Sequence, residues 1–284
     1  MKKILFPTDF SPNANLALSY AARFCRLHNC ELLVLHACHV NAFAYQLVNE
    51  ETQEDIILDT ANTDLTEYCN KNSSTLGDIK FTMIVEYGFA ADSIVDSAKK
   101  NEVDMIIMGT KGISGIDEYL IGSNTMSVIN KASCPVLAIP EQSNLKNFTK
   151  IVFATDYREN DIESIKFLST IAAIFQAEII ILHVKDFMAP ITFEDALLEI
   201  FKDDVKKNIA YNNISFHVLK GLSHSEALNE YLVEHNIDLV AVSTRKRNLL
   251  NKIFDTSFTK KMLYHTHIPL LAFHPKEKKN ENAL

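Results

Sequence analysis

Four glycines lie close together in a chain of 284 residues that contains seven in all, and this concentration needs a local cause. They are Gly109, Gly112, Gly115 and Gly122. Glycine lets a ligand approach the backbone closely, and the N–H groups at a helix start carry a partial positive charge that attracts phosphate. Because the cluster joins a predicted strand over 104–108 to a predicted helix over 123–131, it predicts a loop that binds an anion or a nucleotide.

The spacing of these residues differs from that of two common nucleotide motifs. A P-loop needs Gly-Lys-Ser/Thr after four spacer residues, and the dinucleotide fingerprint follows the first strand of its domain. Here the pattern is Gly109-x2-Gly112-x9-Gly122, followed by Ser123, Asn124 and Thr125. The last three side chains are short enough to cap the predicted helix or to donate hydrogen bonds to phosphate oxygens.

The elements that position this loop occur twice along the chain. At an offset of 147, residues 3–10 (KILFPTDF) align with 150–157 (KIVFATDY) and residues 32–36 with 179–183. At an offset of 134, residues 104–108 align with 238–242 and residues 135–138 with 269–272. The second copy has therefore lost 13 residues between its second and fourth predicted strands.

Each copy alternates short apolar runs with stretches of helical periodicity. In the first copy the runs lie at 3–6, 31–36, 80–85, 104–108 and 135–139. Such strands are typical of a parallel sheet that is covered on both faces, and Ser11-Pro12 is a helix start signal. The sequence therefore predicts an α/β fold of two tandem Rossmann-like domains, each with a parallel five-stranded sheet and helices on both faces.

The predicted domains span 1–141 and 149–275, separated by a polar linker and followed by a disordered tail over 276–284. The first domain also carries an extra segment at about 41–75, which mixes acidic and apolar residues. Two interpretations of this segment stay open. It is either an amphipathic helix that covers the sheet or a cover for the mouth of the predicted pocket.

The glycine pattern resembles the ATP-binding signature of the universal stress protein family, Gly-x2-Gly-x9-Gly followed by small hydroxyl or amide residues. Residues 4–11, 35–36 and 134–140 resemble the first strand and loop, the second strand end and the last strand of that family. The resemblance covers nearly the whole chain, as a tandem of two such domains. It implies a Rossmann-like fold of the adenine nucleotide alpha hydrolase type, with ATP, alone or with Mg²⁺, as the ligand.

The same resemblance implies which residues contact the nucleotide. The adenine and ribose side would be lined by Pro7, Thr8, Asp9 and Ala37. The phosphates would be held by Gly109, Thr110, Lys111, Gly112, Gly122, Ser123, Asn124 and Thr125, and Met108 completes the set. From the residues alone, Asp9 is equally well interpreted as a turn carboxylate that accepts nearby N–H groups, and Lys111 as a solvated loop lysine.

The second copy lacks the three glycines of the pattern. At the equivalent positions it has Ser243, Lys246 and Thr256, although Thr155-Asp156 still follows its first strand. A side chain at each of these positions obstructs close approach of a ligand to the backbone. We therefore expect the second domain not to bind ATP in the manner of the first.

Composition excludes several other classes of function. A net charge of -8 disfavours nucleic-acid binding, and no apolar run approaches the roughly 18 residues that a bilayer crossing needs, so we expect a cytoplasmic protein. The five cysteines form no CxxC pair, and we expect reduced, mostly buried thiols. No catalytic nucleophile, acid–base pair or metal site is evident, and residues 36–39 (HACH) offer only a weak metal candidate.

The leading hypothesis is an ATP-binding regulatory protein of the stress response, with activity as an enzyme left uncertain. Two alternatives stay open, namely a slow ATPase or nucleotidyl-transfer enzyme and a nucleotide-free interaction scaffold. In the family that the chain resembles, last strands commonly pair across a two-fold axis. Residues 136–139 and 270–273 could pair in this way within one chain, so we expect a homodimer or an intramolecular pseudo-dimer, with an unidentified protein partner.

Overall fold

A computed structural model of the chain describes residues 1–39, 50–110, 122–158, 160–186, 191–221, 224–243 and 267–274. The chain divides into two compact units, unit 1 (Met1–Leu145) and unit 2 (Lys146–Leu284). The tail predicted over 276–284 lies outside the described residues. Within them, no helix combines the length and the hydropathy that a bilayer crossing requires.

Unit 1 is an α/β structure with one parallel sheet. Its elements are β1 (Lys3–Pro7), α1 (Pro12–His28), β2 (Glu31–Cys38), α2 (Glu50–Lys71), α3 (Ser73–Leu76), β3 (Phe81–Tyr87), α4 (Ala90–Lys100), β4 (Met105–Gly109), α5 (Ser123–Lys131) and β5 (Val136–Ile139). The strand order is β3-β2-β1-β4-β5. Because successive strands first extend to one side of β1 and then to the other, the carboxyl ends of β1 and β4 form a topological switch point, where open α/β sheets bind ligands.

Unit 2 repeats this architecture. Its elements are β6 (Lys150–Ala154), α6 (Asp161–Phe175), β7 (Glu178–Asp186), α7 (Ile191–Asn208), β8 (Ile214–Gly221), α8 (His224–Glu234), β9 (Leu239–Ser243) and β10 (Leu270–Phe273). The strands are parallel in the order β8-β7-β6-β9-β10. The predicted α/β fold, with five parallel strands in each unit, is confirmed.

The register of strand pairing shows that residues related by the offsets of 147 and 134 occupy equivalent positions in the two units. Lys3 pairs with Glu31 in unit 1, and Lys150 pairs with Glu178 in unit 2, each residue displaced by 147. Across the switch point, Ile4 pairs with Met105, and the equivalent Ile151 pairs with Leu239, which is displaced from Met105 by 134. Equivalent numbering can therefore be used to compare the two units residue by residue.

Helix α1 begins and ends where local chemistry dictates. The hydroxyl of Ser11 accepts a hydrogen bond from the N–H of Ala14 at 3.2 Å, and Pro12 is the first helical residue. The helix ends at Asn29, which has a left-handed φ of 51°. The helix predicted from Ser11-Pro12 is confirmed.

An aspartate directly before the fourth strand joins that strand to the start of the first strand in both units. In unit 1 the Asp104 carboxylate accepts from the N–H of Lys3 at 2.9 Å and from the N–H of Lys2. In unit 2 the Asp238 carboxylate accepts from the N–H of Thr149 at 2.7 Å and from that of Lys150 at 3.1 Å. These bonds satisfy backbone donors at the amino end of each central strand.

The described part of the extra segment in the first unit is helical. Helix α2 packs against β2 and β3, with Ala61, Leu65, Tyr68 and Cys69 buried. Residues 41–49 of the segment lie outside the described residues. The part that is described therefore covers the sheet, as the first of the two interpretations expected.

The segment between the units, predicted to be a polar linker, has no regular secondary structure from Pro140 to Thr149. Phe148 nevertheless is 1% exposed, and its ring meets that of Phe175 at an interplanar angle of 62° and a centroid distance of 5.2 Å. The end of the predicted linker thus belongs to the core of unit 2. A single aromatic residue in a polar run carried too little periodicity to reveal this.

We predict that Asp238→Ala destabilises the protein by about 1–3 kcal/mol, because the N–H groups of Thr149 and Lys150 lose their charged acceptor. Urea unfolding followed by circular dichroism measures the change. The exposed Glu234, close in sequence, provides the control variant Glu234→Ala, which should stay within about 0.5 kcal/mol of the parent. Equal midpoints for the two variants would contradict this role of Asp238.

Candidate functional site

A cavity of about 260 Å³ opens in unit 1 at the switch point between β1 and β4. Ten of the thirteen residues predicted to bind a nucleotide line it. They are Pro7, Thr8, Asp9, Ala37, Met108, Gly109, Gly122, Ser123, Asn124 and Thr125. Segments separated by about 100 residues in sequence are therefore brought together where the sequence predicted a common site.

The other three predicted residues do not line the cavity or are not described. Thr110 is 9% exposed and binds through its backbone, its N–H donating to the carbonyl of Ile139 at 3.0 Å. Lys111 and Gly112 lie outside the described residues, so their predicted contacts stay predictions. The cavity lining also includes four residues that the sequence did not single out, Ala14, Leu35, Ala90 and Ile94.

The loop after β1 is held by its own side chains. The hydroxyl of Thr8 accepts from the N–H of Phe10 at 3.0 Å, and the Asp9 carboxylate accepts from the N–H of Ser11 at 3.1 Å. Phe10 has a φ of 65°, in the left-handed region that non-glycine residues rarely adopt. Asp9 is thus a turn carboxylate and also a lining residue of the cavity.

A histidine at the second strand supports this loop from the side. Nδ1 of His36 lies 2.9 Å from the carbonyl oxygen of Thr8, and its ring stacks on Phe10 at a centroid distance of 4.3 Å. Since a carbonyl oxygen only accepts, Nδ1 must carry the proton. Unit 2 repeats the arrangement, with Nδ1 of His183 2.8 Å from the carbonyl oxygen of Thr155.

The side chain of Asn13 leaves no space for a Cβ on residue 109, so glycine is needed there for packing as well as for access of a ligand. A Cβ on residue 109 would lie 2.5 Å from Oδ1 and 2.8 Å from Cγ of Asn13. The Asn13 side chain is fixed there because its Nδ2 donates to the carbonyl of Ile139 at 3.1 Å. The missing side chain therefore lets α1, β4 and β5 meet closely beside the cavity.

The start of α5 presents backbone donors to the cavity. The N-cap residue is Gly122, which has no side chain that could cap the helix. The first helical turn has no acidic residue, and Ser123, Asn124 and Thr125 all line the cavity. Because the first N–H groups of a helix have no acceptor within the helix, this arrangement suits an anion.

Two contacts tie the start of α5 to the end of β4. The N–H of Gly122 donates to the carbonyl of Thr110 at 2.6 Å, and the hydroxyl of Thr125 donates to the carbonyl of Gly109 at 2.9 Å. Thr125 is 3% exposed, so its hydroxyl proton serves the protein. Hydrogen-bond donation to a ligand from this turn therefore falls to its backbone and to Ser123 and Asn124.

In unit 2 a carboxylate occupies the place that corresponds to the cavity of unit 1. Asp161 stands at the position of Ala14, is 3% exposed, and accepts from the hydroxyl of Thr155 at 2.7 Å and from the N–H of Arg158 at 3.3 Å. It is also hydrogen-bonded by the side chain of Ser243, which stands at the position of Gly109. Unit 2 thus has a buried acid where unit 1 has the wall of a cavity.

Burial raises the pKa of Asp161 above its ordinary value, although the hydrogen bonds from Thr155, Arg158 and Ser243 oppose this effect. Asn160, the equivalent of Asn13, is only partly buried, whereas Asn13 is buried. Lys246, Thr256 and the rest of the degenerate loop lie outside the described residues. In the described part of unit 2, Asp161 and Ser243 are therefore the residues that distinguish this place from the cavity of unit 1.

The weak metal candidate at residues 36–39 is not assembled into a site. The His36 ring is engaged by Thr8 and Phe10, while the His39 ring lies 5.5 Å from that of Phe89. Throughout the described ranges, no three His, Cys, Asp or Glu side chains group together in a way that would hold a metal ion.

Comparison with known proteins agrees with the two-unit organisation. The family model described as the universal stress protein family matches residues 1–140 and again residues 147–274. Universal stress protein MJ0577 of Methanocaldococcus jannaschii is 32% identical over 165 residues, a match that covers 50% of this chain and 97% of the relative. Universal stress protein A homolog 2 of Coxiella burnetii is 32% identical over 142 residues, covering 49% of this chain and 94% of its own.

A solved structure resembles the whole chain. The crystal structure of a universal stress protein from Archaeoglobus fulgidus DSM 4304 superposes with a TM-score of 0.74, covering 96% of this chain and 98% of its own. At 19% sequence identity this similarity concerns the fold. The predicted tandem organisation is confirmed by the two family matches.

We predict that Gly109→Ala destabilises the protein by about 1–3 kcal/mol, because the new methyl group would overlap the fixed side chain of Asn13. In an Asn13→Ala background the same substitution should cost much less, since the obstructing atoms are gone. Urea unfolding of the two single variants and the double variant gives the coupling energy. Additive effects would show that the two residues do not compete for this space.

A second prediction concerns the pH dependence of unit 2. Because the folded state raises the pKa of Asp161, the stability that this group contributes is complete below its unfolded value of 3.8 and is lost as pH rises through the folded value. Unfolding midpoints of the parent should therefore fall relative to those of Asp161→Asn as the pH rises above 3.8. Parallel pH profiles of the two proteins would contradict a raised pKa.

Proposed function

Because the chain belongs to the universal stress protein family, we propose that unit 1 binds ATP at the switch-point cavity and that unit 2 does not. The observation that carries this proposal is that the start of α5, with glycine as its N-cap residue, and the end of β4 at Gly109 line one cavity. A phosphate chain placed there would accept from backbone N–H groups and lie in the positive end of the helix dipole.

The two ends of the cavity differ in chemistry, as an adenine nucleotide requires. Apolar side chains supply one part of the lining, namely Pro7, Leu35, Ala37, Ile94 and Met108. A base would pack among these, while its phosphates lie toward Ser123 and Asn124. Among the described residues that line the cavity, Asp9 is the one with a carboxylate. It would face any Mg²⁺ that accompanies the phosphates.

The hydrogen bonding of Asp9 favours a role in binding over a role in catalysis. Its Oδ1 already accepts from the N–H of Ser11, and the described lining contains no second carboxylate or histidine beside it. General acid–base catalysis needs a positioned group that exchanges a proton with the substrate. We therefore propose a regulatory role, in which bound nucleotide changes stability, assembly or partner binding.

The stability that bound nucleotide adds to the folded protein can be calculated from its concentration and dissociation constant. A ligand that binds only the native state adds about 2.7 kcal/mol of stability when its concentration is 100 times its dissociation constant. Such a change is a substantial fraction of the stability of a typical domain, which is about 5–15 kcal/mol, so the nucleotide concentration alone can alter the fraction of unfolded protein. Assembly as a homodimer, cytoplasmic location and an interacting protein stay predictions from the sequence.

The exclusion of ATP from unit 2 follows from charge as well as shape. Asp161 places a carboxylate where Ala14 leaves space, and a carboxylate near phosphate oxygens is repulsive when both are ionised. The chain thus offers its own negative control, because the same fold carries both environments.

This contrast predicts that Ala14→Asp weakens binding of Mg-ATP about tenfold or more, whereas the uncharged Ala14→Asn weakens it less. Isothermal titration calorimetry of the full chain measures both affinities. Circular dichroism without nucleotide verifies that each variant is folded.

Asp161→Asn in unit 2 is the matched control and should leave the affinity and a stoichiometry of one ATP per chain unchanged. Equal affinities for the parent and Ala14→Asp would place the ligand elsewhere and refute the proposed site.

A further inference from the structure

Two cysteines meet at the end of α1, at the edge of the sheet away from the switch point. Sγ of Cys25 lies 3.4 Å from Sγ of Cys30. The contact follows from the way the helix ends, since Asn29 is left-handed and the N–H of Cys30 returns to the carbonyl of Cys25 at 3.1 Å. This helix ending places the two side chains against each other, as its geometry generally does.

Unit 2 shows that this helix ending does not depend on sulfur. There Gln176 is left-handed, and the N–H of Ala177 returns to the carbonyl of Ala172 at 2.9 Å. Ala172 and Ala177 are the residues equivalent to Cys25 and Cys30. Packing therefore accepts alanine at both positions, and the paired thiols of unit 1 are a chemical addition to a structure that forms without them.

The pair is reached from a surface cavity whose lining carries charges of both signs. Cys25 and Cys30 both line this cavity of about 640 Å³ at the amino end of the sheet. Its charged lining residues are Lys2, Lys3, Arg26, Lys80, Glu31 and Asp78. Cys30 is 7% exposed and Cys25 is 1% exposed, so Cys30 is the sulfur that a small reagent meets first. The four cations outnumber the two carboxylates in this lining, and a net positive surrounding favours a thiolate, which is the reactive form of a cysteine.

The two thiols also differ in acidity. The hydrogen bond with Cys25 lowers the pKa of Cys30, against the opposing effect of burial. The same hydrogen bond, together with burial, raises the pKa of Cys25. The more accessible sulfur is thus also the more acidic one.

We propose that Cys25 and Cys30 form a reversible redox pair, in which a peroxide converts the two thiols into one disulfide within the chain. The Cys30 thiolate attacks a peroxide oxygen, the O–O bond breaks, and the leaving hydroxide takes a proton to become water. Sγ of Cys25 then attacks the Cys30 sulfenic acid and loses its proton to the departing hydroxide, which leaves as a second water. Two electrons pass from the sulfurs to hydrogen peroxide, and a dithiol reverses the step.

The modification is independent of nucleotide binding, because the pair lies at the opposite edge of the sheet from the proposed ATP site. The disulfide would link the last turn of α1 covalently to Cys30, the residue directly before β2. The remaining cysteines provide internal references, since Cys69 is buried, Cys38 and Cys134 are partly exposed, and all five are free thiols.

The test treats the reduced full-length chain with hydrogen peroxide under native conditions, removes the peroxide, and alkylates all remaining thiols in denaturant. Trypsin cleaves after Arg26 and a glutamate-specific protease cleaves after Glu31, so the two cysteines fall in different peptides. The expected product is fragment 24–26 joined to fragment 27–31, with three of the five thiols alkylated, and dithiothreitol restores all five. Alkylation of Cys25 and Cys30 after peroxide treatment would overturn the proposal.

Two variants sharpen the experiment. Cys25→Ala should leave Cys30 as a sulfenic or more oxidised acid without any crosslink, and the double change Cys25→Ala with Cys30→Ala should fold, as Ala172 and Ala177 do in unit 2. The double variant should keep its three thiols at the peroxide dose that crosslinks the parent. A crosslink that joins other cysteines, or one that forms only in denatured protein, would also overturn the assignment.

Discussion

The close approach of Asn13 to Gly109 is the contact on which the carboxyl edge of unit 1 depends. The amide of Asn13 donates to the carbonyl of Ile139 and fills the space that a side chain on residue 109 would take. The carbonyl of Gly109 in turn accepts from Thr125 at the start of α5. One missing Cβ thus lets two helices and two strands converge while a cavity stays open beside them.

Unit 2 solves the same packing problem with different residues. Ser243 supplies the side chain that Gly109 lacks, Asn160 is only partly buried, and the carboxylate of Asp161 joins the ends of β6 and β9 through Thr155 and Ser243. The loop after the first strand is nevertheless kept, with its left-handed aromatic residue Tyr157 and the contact that His183 of β7 makes to it. The frame of the site has therefore been retained in unit 2, while its interior has been replaced by a buried acid.

Much of this could be predicted from the sequence because it depends on local patterns. Continuous apolar runs identified the strands, Ser11-Pro12 identified the start of α1, and the glycine spacing identified the loop before α5. The four lining residues that were missed are apolar, and an apolar residue that faces a cavity has the same pattern as one in the core. The role of Asp161 could not be predicted because it depends on the side chain of Ser243, a partner distant in sequence that only the fold brings close.

The central claim is that one of two equivalent folds in this chain binds an adenine nucleotide. The most direct measurement is the nucleotide released on denaturing protein that was purified without added ligand, identified by chromatography and counted per chain. We expect close to one ATP or ADP per chain. Two nucleotides per chain would contradict the role given to Asp161 and Ser243, and none, with no increase in Tm on adding Mg-ATP, would contradict nucleotide binding by unit 1.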